Sequence, residues 1–123
     1  MSIDMVPRLG WIEASLRNAG AFGVNEKKAY KARFSLSDAA VSRDQDAFLR
    51  QITGTEASGS VKKVRGRLVL LHPLPDKPFF ELPPLRTWLA DALGSRFTEV
   101  ETVRRSQPPA EVLRMIVRAI LEK

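Results

Sequence analysis

The spacing of apolar residues predicts two helices near the N-terminus. Residues 4–19 place apolar side chains at roughly every third or fourth position, and Gly20 and Gly23 supply stop signals after them. Asn25 can cap a second helix, "EKKAYKARF", which is apolar at Tyr30 and basic on its other side. The chain therefore begins with two short amphipathic helices.

A third helix is expected to follow the second almost at once. Ser37 suits its N-cap, because its hydroxyl can accept a hydrogen bond from a free backbone N–H. Val41, Phe48 and Ile52 form the inward stripe, and Asp44 is expected to be internal, where it would orient a basic partner. Two helices joined by so short a turn cross at a steep angle, which is the geometry of a helix-turn-helix.

Beyond Gly54 the pattern changes from the spacing of a helix to that of strands. "VKKVRGRLVLL" predicts a β-hairpin with strands at 61–65 and 67–71 and with Gly66 in the turn. Three helices followed by a basic β-ribbon is the order of a winged helix. The predicted fold class is therefore α+β, mainly α, with a winged helix-turn-helix followed by a C-terminal extension.

The C-terminal half is broken by prolines into short elements. Residues 73–83 predict an extended connector, since a residue before proline avoids the helical region. A fourth helix is expected over 84–93, a short strand at "FTEVETV", and a fifth helix over 109–122 with a continuous apolar stripe. We expect a winged helix-turn-helix domain over 1–72, the connector, and a dimerisation extension over 84–123.

Charge and composition narrow the class of protein. The chain of 123 residues carries a net charge of +6, of which residues 1–67 hold +5, as expected where a domain meets a polyanion. It has no cysteine, which excludes disulfides and thiol catalysis. No apolar run reaches the roughly 20 residues that a membrane span requires, and the start does not resemble a signal peptide. A soluble, cytoplasmic protein is expected.

No pattern of catalytic or metal-binding residues stands out. His72 is the only histidine, Glu99 and Glu101 have no catalytic partner, and a glycine-rich phosphate loop is absent from the sequence. Trp11 and Trp88 are expected to anchor the core. We therefore expect no enzyme, cofactor, metal or small-molecule ligand.

Several stretches of the chain resemble known DNA-binding families. "LSDAAVSRDQDAFLRQ" and "GSVKKVRGRLVLL" resemble the recognition helix and the wing of DeoR-type winged helix-turn-helix proteins, although Arg67 replaces the second glycine usual in that wing. "RLGWIEASLRNAGAFGVNEKKAYKARFSLSDAAVSRDQDAF" resembles the first three helices of bacterial WYL-domain transcriptional regulators associated with phage-defence loci, with Ser35 in place of the usual turn glycine. "VRRSQPPAEVLRMIVRAILEK" is similar to the linker and helix before their sensor domain.

The resemblance implies a nucleoid-associated transcriptional regulator, usually a repressor, that binds double-stranded DNA as a homodimer. A recognition helix fits the major groove, and its base-reading positions are expected at Asp38, Ala39, Ser42 and Arg43. Arg43 is the strongest candidate, because its guanidinium can make two hydrogen bonds to a guanine edge. The alternative for Arg43 is an ion pair with Asp46 on the same helix, or plain exposure to solvent on the side of Ala39.

Phosphate contacts, which position a protein without reading the sequence, are expected around that helix. The candidates are Ser37, Lys27, Lys28, Lys62, Lys63, Arg65 and Arg67. The alternative for the ribbon is a solvated hairpin whose lysines discourage edge pairing. A plain solvated face is the alternative for the lysines of the second helix.

The apolar stripe of the last predicted helix raises the question of whether the helix packs within one chain or against a second subunit. Each large aliphatic side chain left in water would forfeit about 1.5–3 kcal/mol, so the stripe must fold back or meet its copy in a second subunit. We expect the second. The dimerisation residues are then Leu85, Trp88, Leu89, Val112, Leu113, Ile116, Val117 and Ile120. The rival functional interpretation is a winged-helix protein-interaction or adaptor module that does not bind DNA.

Overall fold

The computed structural model describes residues 5–94 and 110–121. The described chain is α+β and mainly helical, as predicted. Its elements are α1 (Met5–Ala19), β1 (Ala21–Phe22), α2 (Val24–Phe34), α3 (Asp38–Ile52), β2 (Val61–Val64), β3 (Arg67–Leu70), α4 (Leu85–Leu93) and α5 (Ala110–Leu121). The strand predicted at "FTEVETV" lies outside the described residues.

The three strands form one antiparallel sheet in the order β1-β3-β2. β2 and β3 make the predicted hairpin, with Val64 opposite Arg67 and only Arg65 and Gly66 between them. Both turn residues have positive φ, 52° and 76°, which is the geometry that matches the twist of two-residue hairpins. Strand β1 was not predicted, because two residues are too few to reveal a period of two. Three helices and this sheet are compatible with a winged helix.

The ends of the first helices follow from local hydrogen bonds. Ser37 is the N-cap of α3 as predicted, since its Oγ accepts a 3.1 Å hydrogen bond from the N–H of Ala40. α2 begins two residues earlier than expected, at Val24 with Gly23 rather than Asn25 as its N-cap, because the carboxylate of Glu26 reaches back to the N–H of Gly23 at 2.8 Å. Ser35 ends α2 in the left-handed conformation, with φ 54°.

Trp11 and Trp88 lie at the centre of the core, as predicted, with exposed fractions of 1% and 0%. The ring of Trp11 contacts those of Phe22, Tyr30 and Trp88. The indole N–H of Trp88 donates to the hydroxyl of Ser15 at 2.9 Å, so α4 is fixed to α1 by a polar contact as well as by packing. The predicted inward stripe of α3, Val41, Phe48 and Ile52, is also confirmed as buried.

The connector between the hairpin and α4 is held on α1 by a buried carboxylate. The carboxylate of Glu13 accepts hydrogen bonds from the backbone N–H groups of Phe79 and Phe80. It also forms an ion pair with Arg17. Near this contact a Cβ built on Gly10 would lie 2.2 Å from the carbonyl oxygen of Glu81. Only glycine allows the backbone of the connector to approach α1 so closely.

Helix α5 packs back onto α1 in the same chain. Val117 is fully buried and Ile120 and Leu121 nearly so, in one hydrophobic cluster with residues of α1, α2 and α4. Arg118 pairs with the buried carboxylate of Glu26 in the first turn of α2. The cluster thus joins side chains from the predicted winged-helix segment with side chains from the predicted extension. None of the helices within residues 5–94 and 110–121 is long and apolar enough to cross a membrane.

Candidate nucleic-acid interface

The outer side of α3 carries the four predicted base-reading residues. Asp38, Ala39 and Arg43 are exposed, and Ser42 is partly exposed. Arg43 makes no hydrogen bond or ion pair with any residue in the described part of the chain. Its predicted alternative partner, Asp46, binds Lys63 instead. The guanidinium of Arg43 is therefore open to solvent on the outer side of α3.

The inner side of α3 is fixed by the buried carboxylate of Asp44, which is internal as predicted. Arg8 on α1 donates to it from Nε at 2.8 Å, and the hydroxyl of Tyr30 on α2 donates at 2.6 Å. Burial, and then the hydrogen bond to Asp44, raises the pKa of Tyr30 above its usual value. Partial burial lowers the pKa of Arg8, but its bonds to Asp44 and Tyr30 raise it by more. One carboxylate therefore joins three helices.

The four cations of the hairpin do not share one surface. Successive side chains of a strand point to opposite faces, and β2 follows this rule: Lys62 is exposed, whereas Lys63 turns toward α3. Arg67 is exposed, and its partner across the hairpin is Val64. Val64 lies on the same face of β2 as Lys62, so Arg67 lies on that face too. Arg65 lies exposed at the tip. Three of the predicted phosphate-binding cations are thus available to solvent, and one is already engaged.

Lys63 connects β2 to the outer side of α3. Its Nζ lies 3.0 Å from Oγ of Ser42 and 2.9 Å from Oδ1 of Asp46. The side chain of Lys63 is 26% exposed and that of Asp46 50% exposed, so the contact lies at the protein surface. Ser42, a predicted base reader, is therefore bound to a residue of the hairpin.

The tip of the hairpin is fixed by a second contact that the sequence analysis missed. The carbonyl oxygen of Gly66 accepts hydrogen bonds from Nζ of Lys27 on α2 and from Nε2 of Gln45 on α3, each at 3.0 Å. Lys27 therefore holds the hairpin, while Lys28 is exposed. Neither contact has a local signal in the sequence, because the partners are 39 and 21 residues apart.

Two other predicted residues already have partners near the start of α3. The hydroxyl of Ser37 is used in capping the helix. Asp38 pairs with Lys31 at 2.6 Å, and this hydrogen bond lowers the pKa of Asp38 below its usual value. Because its side chain is 88% exposed, Asp38 presents negative charge to any ligand that approaches the N-terminal end of α3.

The predicted dimerisation residues are mostly inside the single chain. Four of them are buried there, and two are partly buried. The buried four are Trp88, Leu89, Val117 and Ile120, and the partly buried two are Leu85 and Ile116. Val112 is 41% exposed, and the side chain of Leu113 is outside the described part. A dimer through the buried side chains would require α5 to leave α1.

Comparisons with models of protein families, with curated proteins and with solved structures found no match to this chain.

Proposed function

We propose that the chain is a sequence-specific regulator of transcription that binds double-stranded DNA as a winged helix. In this proposal α3 is the recognition helix and the β2–β3 hairpin is the wing. The observation that carries it is the state of Arg43, which is exposed and unpaired among the described residues while neighbouring polar groups are engaged. An arginine of this kind can form two hydrogen bonds to a guanine in the major groove.

The neighbours of Arg43 suit close approach to DNA. Ala39, one turn earlier on α3, is small and exposed, so it can contact the methyl group of a thymine. Lys62, Arg65 and Arg67 are exposed on the hairpin and can bind phosphates on either side of the groove. The concentration of positive charge in residues 1–67 supports the same partner.

The proposal extends to assembly and regulation. A homodimer would present two copies of α3 to two half-sites of an operator, about one helical turn apart or a multiple of it. Since Val117, Ile120 and Leu121 of the apolar stripe of α5 are buried, we propose that the dimer uses the exposed apolar residues of α5, which are Met115, 70% exposed, and Val112, 41% exposed. Repression would follow if the operator overlaps a promoter, and the protein would then act at the nucleoid.

The test is fluorescence anisotropy with labelled duplexes selected from a random library, across a series of salt concentrations. Specific binding should favour the selected duplex over a scrambled one, with steep dependence on salt. Lys62→Ala should reduce the slope of log affinity against log salt by about 0.9. Lys77→Ala, which removes the same charge from an exposed position on the connector, should leave it unchanged.

The rival function is a protein-interaction module, which the exposed apolar residues of α5 would also suit. An interface of that kind buries apolar surface and responds weakly to salt. Absence of a preferred duplex from the selection, together with weak and salt-independent binding, would contradict the DNA-binding proposal and favour the rival.

A further inference from the structure

Lys63 differs from the other cations of the hairpin, because it is directed at α3 and already has two partners there. We propose that Lys63 and Asp46 form an ion pair that determines sequence selectivity, by fixing the hairpin against the recognition helix. Lys63 is then a positioning residue and does not bind phosphate. This inference rests on the DNA-binding function proposed above.

The geometry of the contact suits a positioning role. Ser42 and Asp46 are four residues apart, so they lie one above the other on the same side of α3. The ammonium group of Lys63 donates to both, and its three N–H groups allow this without distortion. Two bonds to successive turns oppose sliding of β2 along the helix as well as separation from it.

A second contact completes the attachment of the hairpin. At the tip, Gln45 of α3 and Lys27 of α2 both bind the carbonyl oxygen of Gly66. The hairpin is therefore attached to α3 at two separate points, one on strand β2 and one at the turn. Together with the pairing of β3 with β1, these two points fix the direction of the outer part of the hairpin relative to α3.

Selectivity depends on this attachment for a geometric reason. Phosphate contacts set how a protein lies on the duplex, and base contacts read the sequence only when that placement is right. If the exposed cations of the hairpin bind phosphate, the link through Lys63 transmits their position to α3 and so to Arg43. Without the link, phosphate binding would persist while base reading would weaken.

Because Lys63 and Asp46 carry opposite charges, a positioning role of the pair can be distinguished from an effect of net charge. Lys63→Met removes a positive charge, and Asp46→Asn removes a negative charge. If only net charge mattered, the two changes would move the affinity for any duplex in opposite directions. If the pair positions α3, both changes should lower the preference for the selected duplex over the scrambled one.

The experiment measures the ratio of the two dissociation constants, scrambled over selected, for the full chain and its variants. We expect Lys63→Met and Asp46→Asn each to lower this ratio by roughly threefold to tenfold. The double variant should lose no more than either single variant, because the two residues act as one unit. The salt slope of Lys63→Met with the scrambled duplex should equal that of the unmodified chain.

Two matched controls carry the same changes of charge at other positions. Lys62→Met, on the opposite face of β2, should reduce the salt slope by about 0.9 for both duplexes. It should leave the ratio nearly unchanged, because the exposed Arg65 and Arg67 still place the hairpin on the phosphates. Glu56→Gln, in the exposed loop after α3, should leave the ratio unchanged, since Glu56 has no hydrogen bond or ion pair to the rest of the described chain. Circular dichroism and the melting temperature report whether each variant is folded.

The outcomes separate failure of the inference from failure of the function. If Lys63→Met behaves as Lys62→Met does, Lys63 is a phosphate contact and the inference is wrong while DNA binding stands. If the unmodified chain shows no preferred duplex, both proposals fail. Should Lys63→Met not fold, Asp46→Asn carries the test alone, because Asp46 is the partner of Lys63 and is not a predicted base reader. An unchanged ratio in Asp46→Asn would then overturn the inference.

Discussion

The hydroxyl of Tyr30 donates a 2.6 Å hydrogen bond to the carboxylate of Asp44, which is 2% exposed. Arg8 binds the same carboxylate from α1. Asp44 directly follows Arg43 in α3, and the side chain of Asp44 is buried whereas that of Arg43 is exposed to solvent. The orientation of Arg43 therefore depends on how α1 and α2 hold Asp44.

Tyr30→Phe should lower the free energy of unfolding by about 1.5 kcal/mol. Loss of the hydroxyl removes a hydrogen bond to a charged group, and such bonds contribute about 1.5–3 kcal/mol. We expect a value at the lower end of this range, because Arg8 still neutralises the carboxylate of Asp44. Urea unfolding at neutral pH measures the change. A loss below about 0.3 kcal/mol would contradict the role given to the bond.

The same tyrosine predicts a dependence on pH. Its pKa is raised in the folded state, so the stability it contributes is fully present below its unfolded pKa of about 10 and falls as the pH rises above that value. The slope can reach about 1.4 kcal/mol per pH unit. Tyr30 is the only tyrosine, so the phenolate absorbance reports it directly. Ionisation should be suppressed in the folded protein and appear with unfolding, and Tyr30→Phe should lack this part of the pH dependence.

Local signals predicted much of this fold, whereas contacts between distant residues were not predictable. The N-cap at Ser37 and the hairpin turn at Gly66 follow from the preferences of single residues and were found as expected. Attachment of the connector to Glu13 depends on partners 66 and 67 residues away and has no local pattern. The last helix illustrates the same limit, because its apolar stripe indicated burial but could not distinguish α1 from a second subunit.

The candidate interface was also predictable in part. The exposure of Arg43 follows from the helical period, since Val41 and Phe48 fix the buried side of α3. The opposite directions of Lys62 and Lys63 follow from the alternation of side chains along a strand, so the sequence does carry a signal for them. The pairing of Lys63 with Asp46 depends on the docking of the hairpin, and no local rule predicts it.

Two serines at the junction of α2 and α3 should respond to substitution in opposite ways. Ser35 adopts the left-handed conformation, which costs an ordinary residue about 1–2 kcal/mol and costs glycine little. Allowing for the greater freedom of glycine in the unfolded chain, Ser35→Gly should stabilise the protein by about 0.5–1 kcal/mol. Ser37→Ala should destabilise it by about 1 kcal/mol, because α3 loses its N-cap.

Urea unfolding of the two serine variants measures both changes, and each variant controls for the other because both positions are exposed and close in sequence. A destabilised Ser35→Gly would show that the strain at this position is relieved in some other way. An unchanged free energy of unfolding in Ser37→Ala would show that the N-cap contributes little to stability.

Arg43→Ala should reduce the affinity for a selected duplex by about 1–3 kcal/mol and leave the stability of the fold unchanged. The side chain is exposed and has no partner among residues 5–94 and 110–121, so no internal contact is lost. Arg50→Ala is the matched control, since it removes the same charge from an exposed position in the last turn of α3. Equal losses in the two variants would mean that Arg43 contributes charge alone and reads no base.

Two substitutions on α5 distinguish packing within one chain from assembly of two. Val117 is fully buried against the core, so Val117→Asp would bury an unpaired carboxylate and should cost more than about 4 kcal/mol, enough to unfold much of the protein. Met115 is 70% exposed, so Met115→Asp should leave the melting temperature nearly unchanged. If the exposed side of α5 joins two subunits, light scattering should give twice 13.8 kDa for the unmodified chain and a monomer for Met115→Asp. A folded dimer in Met115→Asp would move the interface away from this side of α5, and a folded Val117→Asp would show that α5 does not depend on its packing against α1.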